Sequence, residues 1–85
     1  MSFFVYIVKC CDKTFYTGST RNVQKRLHEH NNTKAGAKYT RGRRPVRLVY
    51  QKKCKSLAQA RALEAKIKRL SREEKMDFIK SYRAG

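Results

Sequence analysis

The residues best suited to chemistry are two tyrosines near the start of the chain, Tyr6 and Tyr16. The first triplet, Phe4-Val5-Tyr6, lies in an apolar run too short for a typical helix, and the second, Tyr16-Thr17-Gly18, follows a small polar connection. Both triplets therefore indicate strands of one hairpin. Two phenols on neighbouring strands could exchange protons at a common site, although paired strand tyrosines commonly do no more than pack.

The turn of this hairpin decides whether the two phenols face each other, because side chains alternate faces along a strand. A three-residue loop, Cys11-Asp12-Lys13, would pair Cys10 with Thr14 and place both tyrosines on one face. A two-residue loop would place them on opposite faces. The three-residue form usually has Gly at its left-handed last position, where Lys13 costs about 1 kcal/mol more. The sequence leaves both loops open.

Two charged residues are expected beside the apolar faces of helices. Arg26 lies about 40° from His30 on a first predicted helix, and its planar guanidinium suits a phosphate. Glu64 lies about 40° from both Ala60 and Lys68 on a later helix, where its carboxylate could look into a cleft between helix and sheet. Each has an ordinary alternative, with Arg26 as a surface cation and Glu64 as the ion-pair partner of Lys68.

After the hairpin, the sequence predicts one helix and one long loop. Thr20 or Asn22 caps the helix, which runs to about His30. From Asn31 to Pro45 the chain is polar, basic and glycine-bearing, which indicates a surface loop. The loop is longer than compact domains usually contain without a purpose, so we expect it to bind a partner.

The second half of the chain predicts a third strand and two helices. Val46 to Gln51 forms the strand, with Leu48 and Tyr50 on one face. Capping boxes at Ser56 and Ser71 begin the two helices. The element order is then β-β-α-β-α-α. The predicted fold class is α+β, with a small three-stranded antiparallel sheet flanked by helices.

Charge is the most unusual property of the composition, since 22 basic residues stand against 6 acidic ones and the net charge is +16. Such an excess indicates a polyanionic partner. Nucleic acid fits better than a membrane, because Tyr39 and Tyr50 are interleaved with the basic residues and no helix pairs a basic face with a large apolar one. The expected nucleic-acid-binding residues are Lys34, Lys38, Arg41, Arg43, Arg44 and Arg47. The alternative is a basic structural protein that binds ribosomes or membranes by charge alone.

Size and cysteine content bound the class of protein. The 85 residues suffice for one domain with a modest core, spanning residues 1–85. No stretch approaches the roughly 20 apolar residues of a membrane span, and the start lacks the pattern of a signal peptide. We therefore expect a soluble, cytoplasmic protein. The three cysteines match no disulfide framework or common zinc site, which indicates reduced thiols.

Taken together, these residues resemble the GIY-YIG nuclease superfamily, and specifically its small stand-alone bacterial proteins. Phe4-Val5-Tyr6 and Tyr16-Thr17-Gly18 correspond to the two signature triplets. Arg26 corresponds to the helical arginine of the family, and His30 to the aromatic or histidine position one turn later. Glu64 corresponds to the metal-binding glutamate. The resemblance covers nearly the whole chain.

The resemblance implies metal-dependent endonuclease activity on DNA or RNA, with weak sequence preference and a place in DNA repair or recombination. Glu64 would hold one divalent cation, Mg²⁺ or Mn²⁺, and Arg26 would add fixed positive charge. Tyr6 would act as the base, directly or through His30, and Tyr16 would orient water or phosphate. Which phenol takes which role stays open.

The same resemblance assigns Gly18 to close approach of the protein backbone to the substrate, since it has no side chain to intervene. Phe4, Val5 and Thr17 depart from the family triplets at strand positions that tolerate such changes. No asparagine follows Asn32, whereas several members use one late in the domain. The alternative is therefore a module of the same fold that grips DNA or RNA without cutting it. A partner protein could supply specificity to so small a domain.

Overall fold

A computed structural model describes residues 2–33 and 38–84 of the chain. The elements are β1 (Phe3–Lys9), β2 (Phe15–Thr20), α1 (Val23–Asn32), α2 (Lys38–Arg41), β3 (Arg47–Cys54), α3 (Leu57–Lys68) and α4 (Arg72–Ala84). The strands form one antiparallel sheet in the order β2-β1-β3. The predicted α+β class and the predicted order of strands and long helices are confirmed. The structure adds α2, a helix of 4 residues within the segment predicted to be a loop.

The turn between β1 and β2 has the three-residue form. The Cys10 amide donates to the Thr14 carbonyl at 2.8 Å, and the Lys13 amide donates to the Cys10 carbonyl at 2.9 Å. Lys13 has a φ of 69°, the left-handed conformation that this turn requires of its last residue. The Asp12 carboxylate stabilises the turn by accepting from the amide and the hydroxyl of Thr14.

This turn sets the register of the hairpin. Tyr6 pairs with Gly18, and Val8 pairs with Tyr16. Because directly opposed residues point to the same side of a sheet, as do residues two apart on one strand, all four lie on one face. The sequence left this arrangement open, and the structure places both phenols together.

A β-bulge in β3 corrects the predicted facing of that strand. Ile7 pairs with Tyr50 while the next residue, Val8, pairs with Leu48, so Val49 is an extra residue on β3. Tyr50 therefore lies on the Ile7 face, and Leu48 lies on the Val8 face. The prediction that Leu48 and Tyr50 share a face was wrong, because the bulge shifts the alternation by one residue.

Each face of the sheet carries its own apolar cluster. The cluster under α3 and α4 contains Val5, Ile7, Tyr50, Cys54, Ala60, Ile67 and Ile79. The cluster on the opposite face contains Tyr6, Val8, Cys10 and Val46, and Leu27 of α1 packs against it. The tyrosine of the first triplet is therefore part of the smaller cluster, on the face that α1 covers.

The predicted capping box at Ser71 is complete, whereas at Ser56 only the serine half is formed, because the Gln59 side chain accepts from the Lys55 amide instead. The Gln59 amide donates to Ser56 Oγ at 3.1 Å, and the Glu74 amide donates to Ser71 Oγ at 3.2 Å. The Ser71 amide in turn donates to Glu74 Oε1 at 2.9 Å. These local contacts fix the starts of α3 and α4. Within the described ranges, no helix is long and apolar enough to cross a membrane.

Side chains tie the C-terminal end of α1 to the start of β3. Asn31 donates through Nδ2 to the Val46 carbonyl at 3.0 Å and accepts at Oδ1 from the Val46 amide at 2.7 Å. The Arg44 guanidinium donates to backbone carbonyls at the end of α1, those of Glu29, His30 and Thr33. A helix leaves its last carbonyls without helical partners, and a cation at this end is favourable. Arg44 was expected to bind nucleic acid, but its donors hold the fold.

Candidate functional site

A buried hydrogen-bonded chain lies at the centre of the site. Tyr6 Oη is 2.7 Å from His30 Nε2, and His30 Nδ1 is 2.9 Å from Thr40 Oγ1. Tyr6 is 2% exposed, and His30 and Thr40 are 0% exposed. The helix α1 places His30 over the sheet, while α2 supplies Thr40 from the segment predicted to be a loop. No signal in the sequence identified Thr40, because its contact depends on how that segment folds back.

An aromatic row leads from this centre to the surface. The Tyr16 ring lies 5.3 Å from the His30 ring, edge to face. Tyr39 stacks on the other side of Tyr16, with ring centroids 5.8 Å apart and an interplanar angle of 29°. Tyr39 is 39% exposed, so the row connects a fully buried imidazole with solvent.

Arg26 lies beside the Tyr6 phenol, as its place next to the apolar stripe of α1 suggested. Its guanidinium hydrogen-bonds Tyr6, and through Nη1 it also donates to Glu29 Oε1 at 3.1 Å. Its side chain is 27% exposed. Arg26 therefore carries positive charge at the boundary between the buried phenol and solvent.

Glu64 makes the ion pair expected from helical spacing and also lies near the tyrosines. Its Oε2 is 2.7 Å from Lys68 Nζ, and its side chain is 21% exposed. The Glu64 charge acts on the Tyr6 phenol, and Lys68 is close enough to Tyr16 for the two to interact electrostatically. The helix α3 thus brings one carboxylate and one ammonium to the tyrosine pair.

Burial dominates the ionisation of the central pair. It raises the pKa of Tyr6 to about 12, although the hydrogen bond from Arg26 favours the phenolate. Burial also lowers the pKa of His30 to about 4, and the charges of Arg26 and Arg44 act in the same direction. Tyr6 is therefore protonated and His30 neutral near pH 7. In the protein alone, burial thus outweighs the effect of Arg26 on the phenol.

The neutral state of His30 makes a testable contribution to stability. Because the pKa of His30 is about 4 in the folded protein and 6.5 ordinarily, folding opposes its protonation. Its contribution is fully present above about pH 6.5 and is lost as the pH falls through 4, a total of roughly 3 kcal/mol at 1.36 kcal/mol per pKa unit. Urea unfolding across this range should show the decline.

The control for this measurement is His30→Gln, which removes the titrating imidazole. Its free energy of unfolding should start lower, since Tyr6 and Thr40 lose a partner. The decline between pH 6.5 and 4 should nevertheless be smaller than in the parent protein by roughly 3 kcal/mol. An equal decline in both proteins would contradict the assignment to His30.

Gly18 provides the space that Tyr6 occupies. A Cβ at this position would lie 2.6 Å from Tyr6 Oη and 2.8 Å from Tyr6 Cζ. The φ of Gly18 is not positive, so the requirement is for room and not for an unusual backbone conformation. The missing side chain thus makes room for the phenol, and close approach of the Gly18 backbone to substrate stays a prediction.

Arg43, also predicted to bind nucleic acid, makes several contacts within the protein. Its Nε donates to Asp12 Oδ2 at 3.0 Å, and its Nη1 donates to the Tyr39 carbonyl at 2.7 Å. Its guanidinium also lies over the Tyr39 ring, 4.1 Å from the centroid. Arg43 therefore joins the hairpin turn to α2 and supports the outer end of the aromatic row.

The remaining basic residues of the predicted binding segment have different positions. Lys38 and Arg41 lie on α2 with exposed side chains, and Arg47 is exposed at the start of β3. Lys34 lies outside the described residues. The surface available to a polyanion in this region is thus narrower than the sequence indicated.

The metal-ligating residues are few in the part of the chain that the structure describes. There, no group of three or more His, Cys, Asp and Glu side chains is placed to hold a metal ion. The three cysteines are free thiols, two of them buried, in agreement with the predicted reduced state. Glu64 is the carboxylate whose charge acts on the Tyr6 phenol.

Sequence comparison identifies relatives over most of the chain. Residues 2–77 match a family model described as the GIY-YIG catalytic domain. A UPF0213 protein of Syntrophus aciditrophicus is 54% identical over 77 residues, which cover 91% of this chain and 88% of that protein. A UPF0213 protein of Clostridium perfringens is 49% identical over 78 residues, covering 92% of this chain and 83% of that protein.

Solved structures agree with these relationships. The solution NMR structure of a UPF0213 protein from Bacillus halodurans has a TM-score of 0.62 and 41% identity, covering 94% of this chain and 84% of that chain. The solution NMR structure of a protein from E. faecalis has a TM-score of 0.70 and 37% identity, covering 100% of this chain and 90% of that chain. Because the family model matches residues 2–77 and these relatives cover most of the chain, the chain belongs to the GIY-YIG family.

Proposed function

We propose that this protein is an endonuclease that hydrolyses phosphodiester bonds of DNA or RNA with a divalent cation and weak sequence preference. The observation that carries the proposal is the convergence of Tyr6, Arg26 and Glu64. The three come from a strand and two different helices. Arg26 hydrogen-bonds the phenol, and the charge of Glu64 acts on it electrostatically. A carboxylate, a cation and a phenol together suit the chemistry of a phosphodiester.

The donor set at this place fits a cation of the Mg²⁺ or Mn²⁺ type. Glu64 offers a hard carboxylate oxygen that is only partly buried, so it can reach an ion bound with substrate. Mg²⁺ is commonly held by one or two carboxylates together with substrate phosphate and water, so a single protein ligand is sufficient. Lys68 would exchange its contact with Glu64 for one with solvent or phosphate. When bound, such a cation would polarise the scissile phosphate and stabilise the leaving oxygen.

The protein's own groups would position the phosphate and move the proton. Arg26 presents a permanent positive charge at the edge of the site and can donate to phosphate oxygens. Tyr6 Oη, in its phenolate form, would accept a proton from the attacking water, and His30 Nε2, 2.7 Å away, would hold the phenolate in place by a hydrogen bond. Thr40 bonded to Nδ1 holds the imidazole in the orientation that this hydrogen bond needs.

The exposed cations near the site would hold the substrate backbone. Lys38 and Arg41 on α2 and Arg47 on β3 are in position to contact phosphates, which gives affinity without information about base sequence. This supports weak sequence preference. A partner protein that supplies specificity would be consistent with the small size of the chain.

The direct test is incubation of the purified protein with single-stranded, duplex and branched DNA and RNA. Cleavage that needs Mg²⁺ or Mn²⁺ and stops with a chelator is the expected result. Products should be resolved by denaturing electrophoresis, because internal cuts distinguish an endonuclease from an enzyme that removes terminal nucleotides. Binding of all substrates without cleavage under every metal condition would overturn the proposal.

The second candidate function is a nucleic-acid-binding module that does not cut. The burial of Tyr6, with its pKa of about 12, favours this candidate, because a protonated buried phenol is a poor base near pH 7. The absence of an asparagine after Asn32 also favours it. The same incubation separates the two functions, since the module would shift substrates in a native gel and leave them intact.

A further inference from the structure

Three neighbouring cavities with basic linings share lining residues. The first, of about 340 Å³, lies at the hairpin turn, and the second, of about 140 Å³, lies between the sheet and α4. Lys9 and Arg47 line both of them. The third, of about 170 Å³, shares Phe15 with the second. Shared walls make the three into one surface feature, called here the basic groove.

The charge of the basic groove has one sign. Its cations are Lys9, Lys13, Arg47, Arg72, Lys75 and Lys80. No acidic residue is among the described residues that line the three cavities. A concave surface lined by like charges attracts an extended polyanion more strongly than the same charges would if scattered.

The sequence of α4 separates its charges in the same way. Its groove-lining residues are spaced three or four apart and form one face of the helix, Arg72, Lys75, Met76, Ile79 and Lys80. Of its acidic residues, Glu74 and Asp77 fall away from this face, and Glu73 lies at its border, about 20° from Lys80. The helix therefore turns mainly positive charge to the groove.

The floor of the basic groove is apolar. Phe15, Val49 and Ile79 line the second cavity together with Met76, which is 40% exposed. Cations above an apolar floor suit a polymeric ligand in which charged groups alternate with flat apolar groups. Single-stranded nucleic acid has this chemistry, because its phosphates and its unpaired bases are accessible at the same time.

The basic groove also leads to the candidate site. Tyr39 lines the third cavity, and it stacks on Tyr16 at the outer end of the aromatic row. Tyr16 in turn lies against His30. A single strand of nucleic acid that lies in the basic groove would thus have one end beside the tyrosine pair.

We propose that the basic groove binds single-stranded nucleic acid and directs it toward the tyrosine site. The inference deepens the proposed function by naming the form of its substrate, and it rests on that function for the direction of the strand but not for binding. Duplex nucleic acid presents only phosphates to such a groove, since its bases are stacked and paired. The apolar floor therefore favours the single strand.

The test is the salt dependence of binding to a labelled oligothymidylate, measured by fluorescence anisotropy with a chelator present so that no cleavage occurs. The groove variant is Lys9→Gln, Arg47→Gln and Lys80→Gln combined. If each cation neutralises one phosphate, the slope of log affinity against log salt should become shallower by about 2, because each contact on a single strand contributes about 0.7. Affinity at low salt should fall at least about tenfold.

The matched control removes the same charge elsewhere. Lys52, Lys53 and Lys55 are exposed at and just beyond the far end of β3, opposite the end where Arg47 pairs with Lys9. Their combined change to Gln should leave the slope within about 0.5 of the parent value. Equal effects of the two triple variants would show that only total charge matters, and the groove would be abandoned.

A further variant examines the apolar floor without a change in charge. Met76→Ser should weaken binding of the oligothymidylate severalfold, leave the salt slope unchanged and hardly affect binding of duplex DNA. Because Met76 is exposed, the variant should stay folded, which its circular dichroism spectrum checks. Equal weakening of duplex and single-strand binding, or no weakening of either, would contradict the proposal. If the groove binds the oligothymidylate but no cleavage occurs when Mg²⁺ or Mn²⁺ is added, only the proposed nuclease function would be overturned.

Discussion

Glu64→Gln is expected to lower the rate of metal-dependent cleavage at least about a thousandfold, since a bound cation contributes several kcal/mol of transition-state stabilisation. The amide keeps the size of the side chain and removes the negative charge that would hold the ion. Loss of the pair with Lys68 should cost less than about 1 kcal/mol of stability, because Lys68 is 53% exposed. Initial rates at saturating Mg²⁺ or Mn²⁺ measure the effect.

Two controls separate a metal ligand from an ion-pair partner. Lys68→Met breaks the same pair but leaves the carboxylate, so it should retain cleavage within about tenfold. Glu73→Gln removes an equal charge from the exposed side of α4 and should be neutral. If Lys68→Met were as inactive as Glu64→Gln, the ion pair and not metal binding would explain the role of Glu64. Unchanged oligonucleotide binding of Glu64→Gln in chelator would show that its fold is intact.

Tyr6→Phe is expected to lower the cleavage rate by about 100-fold to 10,000-fold, the usual contribution of a general base. Because the pKa of Tyr6 is about 12, the fraction ready to accept a proton increases about tenfold per pH unit below that value. The parent protein should therefore cleave faster as the pH rises from about 6 to about 9, and Tyr6→Phe should lose this dependence. Single-turnover rates across the pH range provide the measurement.

Tyr50→Phe is the matched control for this variant. Tyr50 is 5% exposed, belongs to the cluster on the opposite face of the sheet, and has its own pKa raised by burial. Its loss should change cleavage less than about threefold. Tyr6→Phe leaves His30 Nε2 without its partner, at a cost of about 1–3 kcal/mol, so both variants should be checked by thermal unfolding. A pH dependence that survives in Tyr6→Phe and disappears in Tyr16→Phe would assign the base to Tyr16.

The structural features that the sequence predicted best depend on residues close together in the chain. The Ser56 and Ser71 caps each join residues three apart, and in both the serine hydroxyl accepts from the expected amide. The hairpin loop was predicted as one of two forms, and the three-residue form was chosen by contacts within Cys10 to Thr14. Local hydrogen bonds of this kind are largely decided before the rest of the chain has packed.

The features that the sequence did not predict depend on distant partners. The bulge at Val49 lets Tyr50 and Leu48 join different clusters, a choice made by what covers each face of the sheet. From the sequence, Arg44 is indistinguishable from a surface cation. Its guanidinium caps the end of α1 only because the fold brings α1 and the start of β3 together. Thr40 likewise gains a role only when α2 folds against His30.

For the candidate site, the sequence by itself determined which residues are candidates. They are two tyrosine triplets and an arginine and a glutamate beside apolar helix faces, in a chain with a large positive charge. Only the tertiary structure decided the burial and the protonation states of these residues. It buried Tyr6 and His30 so deeply that the phenol holds its proton and the imidazole is neutral, and it filled the space beside Gly18 with the phenol. The physical reason is that residue spacing fixes which side chains share an element, whereas desolvation depends on all the elements packed around them.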